Sequence, residues 1–327
     1  MGTKERLLAL LESHKGEYFS GEEIAQQLSV SRTAVWKAVN TLRNAGYGID
    51  GAQNRGYCLD VHTDILSVQG IRRYLNKEWE GLSLEVLPCA DSTNALLRQR
   101  AAEGSAEGWV ILANQQTQGR GRLGREFYSP PDTGVYMSLL LRPRDLEPSQ
   151  AAKITTMAAV AGCRAIEQVS GRQAEIKWVN DIFLNGKKVS GILTEGSYHL
   201  ETGMLDYVIP GIGFNVYPPA GGFPEELADI ADSIFRNQVD EGKNRLAASF
   251  LNHFLEIYHS QNDYSAEYRA RNLVIGHAIR VIAPWGERNG YALDVDRDCR
   301  LVVRYEDGTV AALSSAEISI RDSDIQY

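Results

Sequence analysis

The chain has 327 residues, 43% of them hydrophobic and 23% charged, with a formal net charge of -8 at pH 7. This length exceeds what a single hydrophobic core usually supports, so two or three domains of ordinary soluble composition are expected. The acidic balance excludes indiscriminate nucleic-acid binding, no run approaches the roughly 18 apolar residues of a membrane span, and four widely spaced cysteines exclude a disulfide framework or a zinc cluster.

The start, Met1 to Arg6, lacks an apolar signal core, which predicts a cytoplasmic protein with reduced thiols. Leu7, Leu8, Leu10 and Leu11 mark a first helix. Ser20 and Glu23 form a capping box for a second, carrying Ile24, Ala25 and Leu28. After a tight Ser29-Val30 turn, Ser31 caps a third, in which Val35, Val39 and Leu42 make the buried stripe. Two strand-like pieces, 47–49 and 57–59, flank a polar Gly51-Ala52-Gln53-Asn54-Arg55-Gly56 tip, which suits a β-hairpin wing.

This unit resembles a winged helix-turn-helix, in which the second helix of the motif enters the major groove. Between residues 30 and 59, Arg32, Lys37, Arg43 and Arg55 stand against Asp50 alone. Arg32, Thr33, Trp36, Lys37 and the wing's Arg55 are the candidates for DNA contact. The alternative is an exposed face that touches nothing, although a tryptophan on the unburied side is unusual for that. Periodicity is lost from Asp60 to Ser67 and resumes with Val68, Ile71 and Leu75, which places a boundary near residue 64.

Strand-like runs at 82–87, 110–113, 135–141, 176–179, 182–184, 189–193 and 207–212 alternate with helical patterns at 94–102 and 150–169, a mixed α/β arrangement. Neither a dinucleotide-binding glycine motif nor a P-loop occurs. Instead, Gln116-Thr117-Gln118-Gly119-Arg120-Gly121-Arg122-Leu123-Gly124-Arg125 alternates glycine with arginine. Glycine lets the backbone approach a ligand, and guanidinium forks bind phosphate or carboxylate oxygens. Alone, the run reads equally as a surface loop.

Next come Lys177-Trp178-Val179-Asn180-Asp181 and Lys188-Val189-Ser190-Gly191 around an Asn185-Gly186 hairpin turn. Pairing outward from that turn sets Leu184 against Lys187, Phe183 against Lys188 and Asp181 against Ser190, so that Asp181, Phe183, Lys188 and Ser190 share one face. The segment 217–232, with Pro218-Pro219-Ala220-Gly221-Gly222, reads as a flexible loop able to order over a ligand or as an inert connection. Helical patterns follow at 244–258 and 265–271, and His253 and His259 read as structural. Five short alternating runs from Ala278 to Ile320 predict a small antiparallel barrel.

Asp91-Ser92-Thr93-Asn94, the Gly-Arg-Gly-Arg-Leu-Gly-Arg loop, Lys177 to Asp181, Lys188 to Leu193 and Gly211-Ile212-Gly213-Phe214-Asn215-Val216 appear in the order that resembles biotin–protein ligases. With the winged helix in front, the chain is similar to the bifunctional class that is both ligase and biotin operon repressor. The resemblance implies an α/β (α+β) multidomain chain: a winged helix-turn-helix at 1–63, a mixed-sheet ligase core at 64–273 resembling class II aminoacyl-tRNA synthetases, and an SH3-like β-barrel at 274–327. It implies biotin and ATP as substrates, with Mg2+ held mainly by ATP and water. Its partners would be a biotin carboxyl carrier domain, operator DNA and a second copy of the chain, with no membrane.

Residue by residue, the resemblance puts Ser92, Thr93, Asn94, Gln116 and Arg120 at biotin, with Gly119, Gly121 and Gly191 permitting close backbone contact. Lys188, Arg120 and Arg122 would stabilise the reacting groups. Arg122, Arg125, Phe127, Lys177, Trp178, Asn180, Asp181 and Asn215 would face the nucleotide. Val179 stands where the family commonly has proline, and Phe127 where it often has tryptophan. Two rival readings remain: a biotin-sensing repressor without catalysis, and a lipoate or octanoate protein ligase.

Overall fold

The computed structural model describes residues 2–52, 55–143, 151–198, 204–260, 263–283 and 285–320. The chain divides into two compact units, one of residues 1–80 and 238–248, the other of 81–237 and 249–327.

The first unit opens with three helices, α1 (Thr3–Ser13), α2 (Gly21–Leu28) and α3 (Arg32–Asn44). Their apolar stripes meet in a core of Leu7, Leu11, Ile24, Leu28, Val35, Val39 and Leu42. The α2–α3 turn is tight because Ser29 adopts a left-handed conformation (φ 53°). Ser31 accepts from Ala34 N (3.2 Å) at the start of α3. The Ser20–Glu23 capping box forms in both directions, at 3.1 and 2.7 Å. Ser20→Ala should therefore lower the stability of this unit by about 1 kcal/mol, seen as an earlier urea midpoint of the winged-helix transition.

The wing is formed by β1 (Ile49–Ala52) and β2 (Gly56–Leu59), paired antiparallel with Ile49 opposite Leu59. The expected strand at 47–49 is displaced outward because Tyr47 turns into the core instead of joining the ladder. Gln53 and Asn54 of the tip lie outside the described residues. α4 (Val68–Tyr74) is capped by Ser67, which accepts from Gly70 N at 2.9 Å. Beneath it, buried Lys15 pairs with Glu12 (3.1 Å) and Glu241, and Glu241 also pairs with Arg73 (3.0 Å). Buried charges persist where each finds a partner.

The second unit is built on a seven-stranded sheet in the order β3-β4-β5-β9-β8-β7-β6. Its strands are β3 (Ser83–Leu87), β4 (Trp109–Ala113), β5 (Gly134–Leu139), β6 (Glu175–Lys177), β7 (Asp181–Leu184), β8 (Lys187–Tyr198) and β9 (Leu205–Asn215). Among the described strands of this sheet only the β3–β4 pair is parallel, as a crossover through α5 (Thr93–Ala102) requires. α6 (Ala151–Ser170) packs on β8 and β9, and a Cβ at Gly162 would collide with Ile182.

The β7–β8 hairpin corrects one expectation. Leu184 faces Lys187 and Phe183 faces Lys188, but a bulge between Ile182 and Phe183 puts Ser190 opposite Ile182 and Gly191 opposite Asp181. One extra residue turns Ser190 into the interior, where it is fully buried. The segment 217–232 has local structure of its own. It holds a one-turn helix, α7 (Glu225–Ala228), and a bridge between Lys188 and Ala231, with Lys188 N donating to Ile230 O at 2.8 Å.

α8 (Gly242–His259) and α9 (Ser265–Ala270) follow. The chain ends in an antiparallel sheet, β13-β12-β11-β10-β14, of β10 (Ala278–Ala283), β11 (Gly286–Val295), β12 (Leu301–Tyr305), β13 (Val310–Leu313) and β14 (Glu317–Ile320). The five predicted strands are present. Among the described residues β13 and β14 do not pair, so the arrangement is an open ladder and not a closed barrel. Cys58, Cys163 and Cys299 are buried free thiols, and Cys89 is exposed. Among the described residues, no helix is long and apolar enough to cross a membrane.

Candidate active site and nucleic-acid interface

A cavity in the second unit gathers the loop after β4, the start of α5, the β7–β8 hairpin, β9 and the start of β14. The Gly119–Phe127 segment folds back on itself, with Gly121 N donating to Arg125 O (2.7 Å) and Phe127 N to Gly119 O (2.9 Å). This turn aims Arg120, Arg122 and Arg125 into one space, where Lys177 and Lys188 join them. Three carboxylates, Glu126, Asp181 and Glu317, line the same cavity, leaving an excess of positive charge.

Lys188 Nζ lies 2.7 Å from Asp181 Oδ1, and both side chains are mostly buried. The bulge that corrected the register accounts for this pair, because it brings Gly191 opposite Asp181 and leaves room for the lysine alongside. Arg122 donates to Asn180 Oδ1 (3.0 Å), Ser315 Oγ (2.9 Å) and Ala316 O (3.4 Å). Burial pulls its guanidinium below the usual arginine range, against the pull of Asp181 and Glu317. Burial likewise lowers the Lys177 ammonium, with Asp181 opposing and Lys188 adding to the shift. Arg125 pairs with Glu317.

A neutral polar group completes the lining. Gln116 Oε1 accepts from Thr93 N (2.9 Å) and Thr93 Oγ1 (3.1 Å), while Gln116 Nε2 donates to Ser129 Oγ (3.3 Å). Ser92 caps α5 by accepting from Ala95 N. Phe127 packs over a glycine floor: a Cβ at Gly213 would collide with its ring, and one at Gly191 would press on it at 3.1 Å.

All the expected small-molecule contacts line this cavity except two. A Cβ at Gly119 would strike Phe127 O and Ser129 Oγ, so its missing side chain serves the folding of the loop itself. Asn215, at the end of β9, donates to Asp232 O (3.2 Å) and ties down the 217–232 segment. Trp178 lines the cavity but is almost wholly buried, with its indole N–H donating to Cys299 O (2.9 Å). Sequence reasoning missed Ser315, in the turn before β14, and Glu317, the first residue of β14, together with Ser138 and Glu195 behind the cavity. A serine within the apolar run 135–141 was the one available signal.

In the first unit, Arg32, Thr33 and Trp36 line a groove between α3 and the wing, and Lys37 is exposed nearby on α3. Trp36 is 56% exposed. Arg55 stacks on the Tyr18 ring at 3.8 Å, and Tyr18 in turn hydrogen-bonds Asp50. Arg43 donates to Ile49 O (2.8 Å) and so braces the wing.

Residues 3–58 match an HTH domain family and residues 86–215 the biotin/lipoate A/B protein ligase family. The chain is 34% identical to the "Bifunctional ligase/repressor BirA" of Bacillus subtilis, over 97% of this chain and 98% of that protein. It is 26% identical to the Escherichia coli protein of the same name, over 98% and 97%. Among solved structures it is similar to the biotin protein ligase from Aquifex aeolicus in complex with biotin and ATP, with a TM-score of 0.60 and 26% identity over 74% of this chain and 99% of that one. With two independent family matches in order and a full-length relative above 30% identity, the chain belongs to the family of the bifunctional ligase/repressor BirA.

Proposed function

We propose that this protein is a cytoplasmic ATP-dependent biotin ligase that forms biotinyl-5′-AMP, transfers biotin to a lysine of a biotin carboxyl carrier domain, and represses biotin genes when adenylate-bound. The observation that carries the ligase reading is one cavity combining a neutral set, Ser92, Thr93 and Gln116, with a cationic set, Arg120, Arg122, Arg125, Lys177 and Lys188. Biotin matches both, with an uncharged ureido head and a carboxylate that must meet a polyphosphate.

In the first step a biotin carboxylate oxygen attacks the α-phosphorus, the bond to the bridging oxygen breaks, and pyrophosphate leaves. Negative charge shifts between phosphate oxygens, and preorganised cations in a site shielded from water stabilise that shift. Lys188 exchanges Asp181 for the reacting oxygens, while Arg122, already fixed on Asn180 and Ser315, needs no reorganisation. In the second step the neutral amine of the acceptor lysine attacks the anhydride carbonyl and AMP leaves. Both nucleophiles come from the substrates.

Among the described residues no group of three or more potential metal ligands occurs. Magnesium would be held mainly by phosphates and water and would neutralise phosphate charge, with Glu126, Asp181 and Glu317 the carboxylates that line the cavity. The proposed domains are 1–63, 64–273 and 274–327, with a core like class II synthetases and an SH3-like C-terminal sheet that curves but, among the described residues, stays open between β13 and β14. The bulge between Ala292 and Asp294 supports that curvature.

For repression, we propose a homodimer that sets two α3 helices about 34 Å apart on a palindromic operator. Replacing Arg32 and Lys37 together by alanine should weaken operator binding and reduce the dependence of log K on log salt by roughly 2 per protomer. Operator titrations at several salt concentrations test this, and an unchanged slope would remove the DNA assignment. The ligase reading is tested by pyrophosphate release on adding biotin and ATP.

A further inference from the structure

The solvent side of α3 combines charge with one large apolar surface. The helix carries Arg32, Lys37 and Arg43 and no carboxylate, and among these cations stands Trp36, more than half exposed. The buried stripe is complete without it. Val35, Ala38, Val39 and Leu42 fill the core, and the indole is neither a buried nor a partly buried member of it. Instead Trp36 shares the groove beside the wing with Arg32, Thr33 and Tyr57, and no acidic side chain lines that groove.

The place of Trp36 in the helix decides what the indole meets. In a helix-turn-helix the N-terminal residues of the second helix reach the base edges, and Trp36 is the fifth residue of α3, one turn beyond Arg32 and Thr33. The base edges in a major groove are donors and acceptors, apart from one apolar group, the C5-methyl of thymine. The single N–H of the indole offers a base acceptor less than Arg32 or Lys37 would. Its carbon surface offers a methyl group what no cation can.

We propose that Trp36 is a specificity-determining residue that packs its indole on a thymine methyl in each operator half-site, while Arg32 and Lys37 engage phosphates. This rests on the repressor reading above. Removing that methyl returns about one methylene's worth of apolar contact to water, which is about fourfold in affinity per half-site and about 15-fold for a dimer on two.

The test uses deoxyuridine, which differs from thymidine by that methyl alone. Adenylate-bound wild-type protein selects duplexes from a library with a randomised inverted repeat. The selected duplex is then resynthesised with deoxyuridine at each symmetry-related pair of thymidines in turn, and binding is titrated at several salt concentrations. Wild-type protein should lose about 15-fold at one such pair. Trp36→Ala should bind the thymidine and deoxyuridine duplexes alike at that pair. Its salt slope should match the wild type, because no phosphate contact is lost, and so should its thermal midpoint, because the indole stands outside the core. Equal binding of both duplexes by the wild type at every pair would overturn the proposal. So would discrimination that persists in Trp36→Ala, which would assign the methyl to another side chain. A wild type that selects no duplex overturns the DNA reading itself and the role of Trp36 with it.

Discussion

Lys188→Ala should lower the rate of pyrophosphate release by about 100- to 1000-fold, with little change in the thermal midpoint of the fold. The lysine sits at the edge of the bulged hairpin, 2.7 Å from Asp181, in a cavity where water screening is reduced. Its removal has two effects of the same sign. It deletes the cation proposed to meet the reacting oxygens, and it leaves the Asp181 carboxylate uncompensated against an incoming carboxylate and phosphate. Asp181→Asn removes the second effect alone. In the Lys188→Ala background it should therefore recover part of the lost rate, and stopped-flow detection of pyrophosphate would measure both variants. Equal rates for the wild type and Lys188→Ala would remove Lys188 from the chemistry.

Arg122→Ala should reduce kcat/KM for ATP by about 100-fold, and Arg122→Lys should restore little of it. The guanidinium makes three hydrogen bonds in different directions, to Asn180, Ser315 and the Ala316 carbonyl, and a lysine offers no planar fork to reproduce them. The substitution also removes the arginine loop's contacts with Ser315 and Ala316, so the loss should fall on ATP more than on biotin. Steady-state kinetics with each substrate varied in turn distinguishes this from general unfolding, which would lower both in parallel.

Periodicity and capping carried the first unit: the stripes of α1 to α3 and the Ser20 and Ser31 caps are local features, and local features are legible in sequence. Tyr47 was misplaced because an aromatic residue suits a strand and a core equally, and only packing decides between them. The hairpin register failed at one residue, since a β-bulge follows from burial of Ser190 and Ile182 and leaves no mark in the turn. The arginine loop, which alone reads equally as a surface loop, was legible as chemistry only together with the Lys177–Asp181 and Lys188–Gly191 segments. Ser315, Glu317, Ser138 and Glu195 were not, because each reaches the site through a contact distant in sequence. Gly119 shows the converse, a motif residue whose side chain is excluded by the loop's own backbone.

The most direct measurement is incorporation of labelled biotin into a biotin carboxyl carrier domain, with and without ATP, by the wild-type chain and by Lys188→Ala and Arg122→Ala. ATP-dependent labelling that falls sharply in both variants is the expected result. No labelling by folded wild-type protein supplied with magnesium would contradict the ligase assignment and leave a biotin-sensing repressor in its place.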